Sequence, residues 1–345
     1  YVVKELRFLR KEFADVHIDL AYNGVPARRL TLDEKMRSRA KLQQYCMNLL
    51  GFKPDFLFTH VTRLVPSKGL WRDIRLVEEL ERHLVKAGMT AVHFVLSTET
   101  CGRAAHDIES MERSYKWPVA HREGHPDLTG GEAAFYAGVQ EWNARSRHCP
   151  IVYINQFGFD RATCGSRMPA DMEFLDIRKG SDAEFGQSIY EPFGIAQVEP
   201  ISFGGICVFT ELCGCAGFVR RAWAAAQAGR QQQARGGTSK ATSCPLAIEV
   251  DYTALPETMQ ELSIAQLLKM QRNTRVEIEQ AVAARAAAEL FERLPRQRAD
   301  FERLIATGGE LGQQTGWDAV ARNYILPGLD RAAKGDGALP KNPVM

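Results

Sequence analysis

The chain has 345 residues, 45 % of them hydrophobic, with 44 basic against 42 acidic side chains and a formal net charge of +2. That length accommodates more than one compact unit, and the near-cancelling charge argues against a general binder of nucleic acid or membrane surfaces. No apolar run approaches the roughly 20 residues needed to span a bilayer.

Tyr1 opens a charged, helix-like run, "YVVKELRFLRKEF", and nothing downstream resembles a signal peptide. The sequence therefore reads as a fragment or processed chain whose beginning lies elsewhere. "DVHIDLAYNGVP" (15–26) is strand-like and ends in the turn signal Asn23-Gly24. "TLDEKMRSRAKLQQYCMNLLGF" then carries a capping box, Thr31 with Glu34, and helical spacing through Leu42, Cys46 and Leu49 up to Gly51.

Strand and helix signals alternate from there. "DFLFTHVTRL" (55–64) is strand-like and leads into the loop "VPSKG"; "LWRDIRLVEELERHLVKAG" is an amphipathic helix closed by Gly88. "AVHFVLSTE" and "CPIVYINQFGF" read as buried strands, "ADMEFLDIRKGSD" as a helix and "AEFGQSI" as a short strand. "GIAQVEPISFG" reads as a short helix, "GICVFTEL" as another strand, and "LAIEVDYTALPE" as a strand and turn. The polar stretch 227–243 reads as a flexible surface insertion, not a phosphate loop, because GxxxxGK[ST] is not met. Beyond Glu261 the chain is helical, with breaks expected at Pro295, at Gly308-Gly309 and at Pro327-Gly328. Strands separated by helices predict an α/β fold with a doubly wound parallel sheet, which binds ligands at the carboxyl ends of its strands. "VPSKG" and "YEPFG" both fall at such ends.

The eight cysteines include no CxxC and read as reduced, mostly buried thiols of a cytoplasmic protein. "CGC" at 213–215 and "HREGHPD" at 121–127 suggest metal ligands at first sight. No histidine follows His148, however, and Gly124 and Pro126 make the second stretch read as a loop, so no metal site is expected.

The segment "SIYEPFGIAQVEP" (188–200) sets Glu191 and Glu199 among apolar residues, where an unpartnered carboxylate is costly. Pro192 suits the first turn of a helix and Gly194 lets backbone approach a ligand closely. A helix start favours phosphate, and carboxylates accept paired hydrogen bonds from vicinal hydroxyls. A nucleotide sugar has matching parts. In "TRLVPSKG", Arg63 and Lys68 stand where two cations would stabilise a departing diphosphate.

These two segments, "TRLVPSKG" and "SIYEPFGIAQVE", resemble the donor-site markers of retaining GT-B glycosyltransferases, the group that includes glycogen, starch and sucrose synthases. "YNGV" also resembles the hinge into their second domain, and "GWDAVARNYILPGL" their last crossing helix. The resemblance spans roughly residues 20 to 330 and implies the C-terminal, donor-binding half, with the N-terminal domain largely missing. It divides the chain into 1–30 (end of the N-terminal domain and hinge), 31–258 (a Rossmann-like nucleotide-sugar domain) and 259–345 (helices packing back). It implies that Glu191 contacts the transferred sugar and Glu199 the ribose, while Arg63 and Lys68 bind the diphosphate. Pro192, Phe193, Gly194 and Ile195 would then line the donor. The implied reaction moves a sugar from a nucleoside-diphosphate donor to a sugar, glycan or small-molecule acceptor. It retains configuration and uses no metal or other cofactor.

Each residue also has a plainer reading. Glu191 could cap a helix, Glu199 pair with Arg220, and Arg63 and Lys68 serve as strand-end charges. Tyr190 and Phe193 read as core aromatics, and His60 as a buried, hydrogen-bonded strand residue. A non-catalytic nucleotide-sugar-binding module of the same fold is the alternative function.

Overall fold

The computed structural model describes residues 2–99, 105–115, 121–125, 127–156, 158–233 and 243–334. Helix α1 (Val2–Leu9) precedes an irregular stretch, and α2 (Leu32–Leu50) begins at the expected capping box. There the Glu34 N–H donates to Thr31 Oγ1 at 3.2 Å, and Gly51 in the left-handed region closes the helix. Strand β1 (Phe56–Val61), helix α3 (Trp71–Ala87) and strand β2 (Ala91–Leu96) follow. Next come α4 (Ala105–Tyr115), β3 (Arg122–Gly124), α5 (Gly130–Arg145) and β4 (Ile151–Asn155). Short helices α6 (Arg161–Cys164) and α7 (Phe174–Gly180) lead to β5 (Ala183–Gly186). The sheet is completed by α8 (Ile195–Val198), β6 (Ile206–Thr210), α9 (Gly214–Gln233) and β7 (Ala247–Val250). The remainder is helical: α10 (Ile264–Leu268), α11 (Arg272–Arg293), α12 (Arg298–Thr315), α13 (Trp317–Val320) and α14 (Leu326–Ala333).

The seven strands form one parallel sheet in the order β3-β4-β2-β1-β5-β6-β7. Alternation along the strands sorts their side chains between two layers. Phe56 and Phe58, Ala91 and Val95, and Ile151 and Tyr153 join one core with α3, α5 and α11. Leu57, Val92, Phe94, Leu96, Val152 and Ile154 join the other, against α2 and α7. Strands buried on both faces are near-continuous apolar runs, as β2, β4 and β6 are. The expected doubly wound, Rossmann-like α/β sheet is therefore the fold. The strand order reverses between β1 and β5, so the crevice at their carboxyl ends is the topological switch point.

Several expectations are corrected. Residues 15–26 form no strand; Tyr22 stacks on Phe218 at 4.5 Å and meets Tyr324 edge-on at 5.1 Å, and the Val25 N–H donates to Thr315 O. Aromatic packing holds that segment where a ladder was expected. "HREGHPD" contributes the edge strand β3, and α4, β3 and α5 fill a region whose sequence had suggested neither helix nor strand. Residues 227–233 continue α9 and are no loop; 234–242 lie outside the described residues.

Gly308 and Gly309 do not break α12. A Cβ on Gly308 would overlap the Ile201 carbonyl oxygen, so this glycine permits helix and loop to touch. The chain also stays helical through Pro327, because a π turn at Ala321–Ile325 widens the helix just before the proline, whose ring would otherwise meet the preceding turn. The seven described cysteines are unpaired and buried, and Cys101 lies outside the described residues. No helix among the described residues is long and apolar enough to cross a membrane.

Candidate functional site

Two loops meet at the switch point. After β1 the chain passes Arg63, then makes a single 3-10 turn, Pro66–Lys68, closed by Gly69 at φ +64°. After β5 it runs through Gln187 and Ser188, both buried, to Glu191. The loops are joined by backbone: the Ile189 N–H donates to Ser67 O at 2.8 Å. Arg72, from the first turn of α3, donates to Gln187 O at 3.0 Å and Ser188 O at 3.3 Å. A third loop joins them, as Thr210 Oγ1 donates to Ser188 O at 2.9 Å.

Glu191 pairs with Cys213 in an isolated parallel bridge, and its carbonyl accepts from the Gly214 N–H at 3.0 Å. The Phe193 carbonyl accepts from Cys215 N–H at 2.8 Å. This attachment to the start of α9 explains one departure from expectation. Pro192 lies at a bend, not in a helix, and the helix begins at Ile195 after Gly194 turns the chain at φ +91°. Phe193 aims its ring at Phe218 (5.6 Å) and Tyr22 (6.2 Å), a structural role, as read. Tyr190 differs: it is 37 % exposed and donates its hydroxyl to Glu5 at 2.9 Å, so it is no core aromatic.

The Lys68 ammonium donates to the Glu191 carboxylate, with side chains 14 % and 17 % exposed. Burial first, and the adjacent Arg63 guanidinium second, draw the Lys68 pKa below its usual value. Arg63 is exposed and has no carboxylate partner among the described residues. Arg63, Lys68, Glu191, Gly194 and Ile195 line one cleft of about 290 Å³ with Val61, Thr62, Leu96, Phe159, Ala196 and Gln197. Pro192 and Phe193 instead face a larger cavity of about 580 Å³, beside residues 2–4 and 18–23, which shares Glu191 as a wall.

Glu199 is set apart from both cavities. Helix α8 is a single turn, and Glu199 starts the 3-10 segment Glu199–Phe203. Its partner is Arg178, whose Nε donates to Glu199 Oε2 at 3.0 Å; Arg220, the partner considered from sequence, binds Glu211 and Glu249. Arg178 is wholly buried, and its Nη1 donates to Glu184 Oε2 at 2.7 Å. Glu184, also wholly buried, accepts from Thr59 Oγ1 at 2.5 Å and Val61 N–H at 2.9 Å. Burial raises the Glu184 pKa against the opposing Arg178 charge.

Sequence reasoning missed Arg178, Glu184 and Gln197. Gln197 donates to Ser188 Oγ at 2.8 Å and bridges α8 to the loop after β5. His60 is buried as expected, with Nδ1 2.5 Å from Asp73, which also contacts His93 and Gln187. "CGC" opens α9: Cys213 Sγ lies 3.2 Å from Thr210 Oγ1, and Cys215 donates to Gln197 at 3.6 Å. Hydrogen bonds, that from Cys215 foremost, bring the Cys213 pKa down to about 7. Among the described residues, no group of three or more His, Cys, Asp or Glu side chains is arranged to hold a metal ion.

No protein-family model matches the chain, and no curated protein matches it either. Solved structures are similar at low identity. An α,α-trehalose-phosphate synthase (UDP-forming) from Burkholderia vietnamiensis is 14 % identical over 92 % of this chain and 53 % of its own, with a TM-score of 0.46. A sucrose-phosphate synthase from Thermosynechococcus elongatus is 13 % identical over 96 % of this chain and 57 % of its own, at 0.49. A trehalose-6-phosphate structure from E. coli, bound with UDP-2-fluoro glucose, is 14 % identical over 92 % and 51 %, at 0.45. The chain spans about half the length of each.

Proposed function

We propose that this chain is the donor-binding half of a retaining GT-B glycosyltransferase, which moves a sugar from a nucleoside diphosphate to an acceptor hydroxyl. One observation carries the reading: Arg63 and Lys68, from the loop after β1, share one cleft at the sheet's switch point with Glu191 and Gly194, from the segment after β5. Brought there by two different loops, they are the residues that the motif resemblance assigns to a sugar diphosphate.

The chemistry follows from their placement. Negative charge develops on the diphosphate as the glycosidic bond breaks, and fixed cations stabilise it best where water is scarce. Lys68 is mostly buried and meets that condition; Arg63 is exposed but has no competing carboxylate among the described residues, which leaves its charge available to the diphosphate. Glu191 accepts hydrogen bonds from the sugar hydroxyls, and Gly194 lets the backbone approach the donor closely. Glu199 receives the ribose. The leaving phosphate assists acceptor attack on the face it departs from, which gives retention without a metal.

Thermal unfolding with UDP, ADP and GDP in turn tests the proposal. A nucleotide at a hundred times its dissociation constant adds about 2.7 kcal/mol of stability. A shift with one nucleotide, lost in Glu199→Ala, supports the donor role and names the base; no shift with any of them rejects it for this chain.

A further inference from the structure

We infer that Arg178 is a positioning residue that holds the Glu199 carboxylate ready for the vicinal hydroxyls of a ribose, and so sets the preference for ribonucleotides over 2′-deoxyribonucleotides. The inference rests on the donor-binding reading above. Arg178 is among the largest wholly buried side chains of the protein. Its fork reaches three acceptors in different directions: Glu199 through Nε, Glu184 through Nη1 and the Ala196 carbonyl through Nη2. The last two are anchored independently, Glu184 by Thr59 and Val61 on β1 and Ala196 by α8.

Glu199 is otherwise free. Its Oε2 accepts from Arg178, while its Oε1 has no partner among the described residues, and the side chain is 21 % exposed. A carboxylate with one oxygen fixed and one open accepts a pair of hydroxyls without first losing its rotamer freedom. Arg178 also compensates the charge. Glu184 and Glu199 would otherwise stand as two uncompensated carboxylates; with the guanidinium between them the trio carries a single negative charge. Lysine cannot replace it, because one ammonium on a flexible stem cannot span three fixed acceptors.

A merely structural Arg178, fastening α7 to the sheet through Glu184, would leave the choice between sugars untouched. The test therefore measures, on the whole chain, the affinity ratio of the best-bound nucleoside diphosphate to its 2′-deoxy counterpart by calorimetry. The parent is expected to favour the ribonucleotide by about ten- to a hundredfold, the worth of one hydrogen bond to a charged acceptor. Arg178→Lys is expected to bring the ratio to within about threefold of unity, and Arg178→Lys with Glu199→Ala to lower it no further than Glu199→Ala alone. Glu184→Gln disturbs the same buried trio but leaves the Arg178–Glu199 contact, so it should lower stability and keep the ratio.

Should Arg178→Lys not fold, Glu199→Asp withdraws the carboxylate from Arg178 by one methylene at a partly exposed position and is expected to collapse the ratio. A folded Arg178→Lys or Glu199→Asp protein with the parent ratio overturns the inference and leaves the donor reading standing. So does a Glu184→Gln protein whose ratio collapses. A parent that binds a nucleotide without discriminating likewise overturns the inference alone, whereas a parent that binds no nucleotide overturns both.

Discussion

Lys68 and Glu191 are in ion-pair contact inside the cleft, and a bound diphosphate must compete for the same ammonium. Two unit charges about 4 Å apart attract by about 4 kcal/mol at an effective dielectric constant of about 20. Desolvation and ordering cancel most of that, and exposed pairs are worth about 0.2–1 kcal/mol. With both side chains more than four-fifths buried, a net value of about 1–2 kcal/mol is expected here. Glu191→Gln removes both the competition and the repulsion between carboxylate and phosphate. Affinity for the plain nucleoside diphosphate should therefore rise about 5- to 30-fold. Lys68→Met should lower it about ten- to a hundredfold by removing a charge-assisted contact. With Lys68 absent, the part of that benefit that comes from releasing the ammonium should disappear and only the relief of repulsion should remain. For a nucleotide sugar the gain should vanish, because Glu191 is then needed by the sugar hydroxyls. Calorimetric titration of the four proteins with diphosphate and nucleotide sugar measures each term. If Glu191→Gln weakens plain diphosphate binding as much as Lys68→Met does, the competition argument is wrong.

Three further outcomes follow from the geometry. Glu199→Ala should weaken ribonucleotide binding about ten- to a hundredfold yet leave the fold intact, since Arg178 keeps Glu184 and Ala196 as partners; a large fall in melting temperature would contradict this. Asp73→Asn leaves His60 and His93 buried beside a neutral amide and should cost about 3–5 kcal/mol in urea unfolding. Burial opposes the His60 imidazolium but the Asp73 charge outweighs it, so the His60 pKa is raised on folding. Its contribution is full below the ordinary histidine value of about 6.5 and is lost as pH rises through the raised folded value. His93, lowered by burial, acts below that ordinary value, so the stability difference between parent and Asp73→Asn should be largest on the acid side and should shrink as pH rises through the raised His60 value. Gly308→Ala should destabilise by about 1–3 kcal/mol through overlap with the Ile201 carbonyl, whereas Gly309→Ala, with open space around it, should stabilise by up to about 1 kcal/mol. Melting curves that show the same sign for both would refute the packing argument.

What the sequence determined by itself were features whose causes are local. Thr31 and Glu34 satisfy each other's backbone within one turn, Gly51 and Gly88 end helices by their own torsion, and apolar strand runs separated by helices imply a parallel sheet wherever they pack. The grouping of Arg63, Lys68, Glu191 and Gly194 was legible for a related reason: residues just beyond parallel strands must all lie on one edge of the sheet.

Other features depended on partners far away in the chain. Gly308 and Gly309 read as a helix break until Ile201, about a hundred residues earlier, is seen to need the space. "DVHIDLAYNGVP" alternates like a strand, but Tyr22 finds Phe218 and Tyr324, not a ladder. Arg178 and Lys179 are neighbours of the same charge, and nothing local distinguishes the one that becomes wholly buried. The sequence supplies a charge, but burial and its counter-charge are set by which distant elements meet there, and only the tertiary structure decides that.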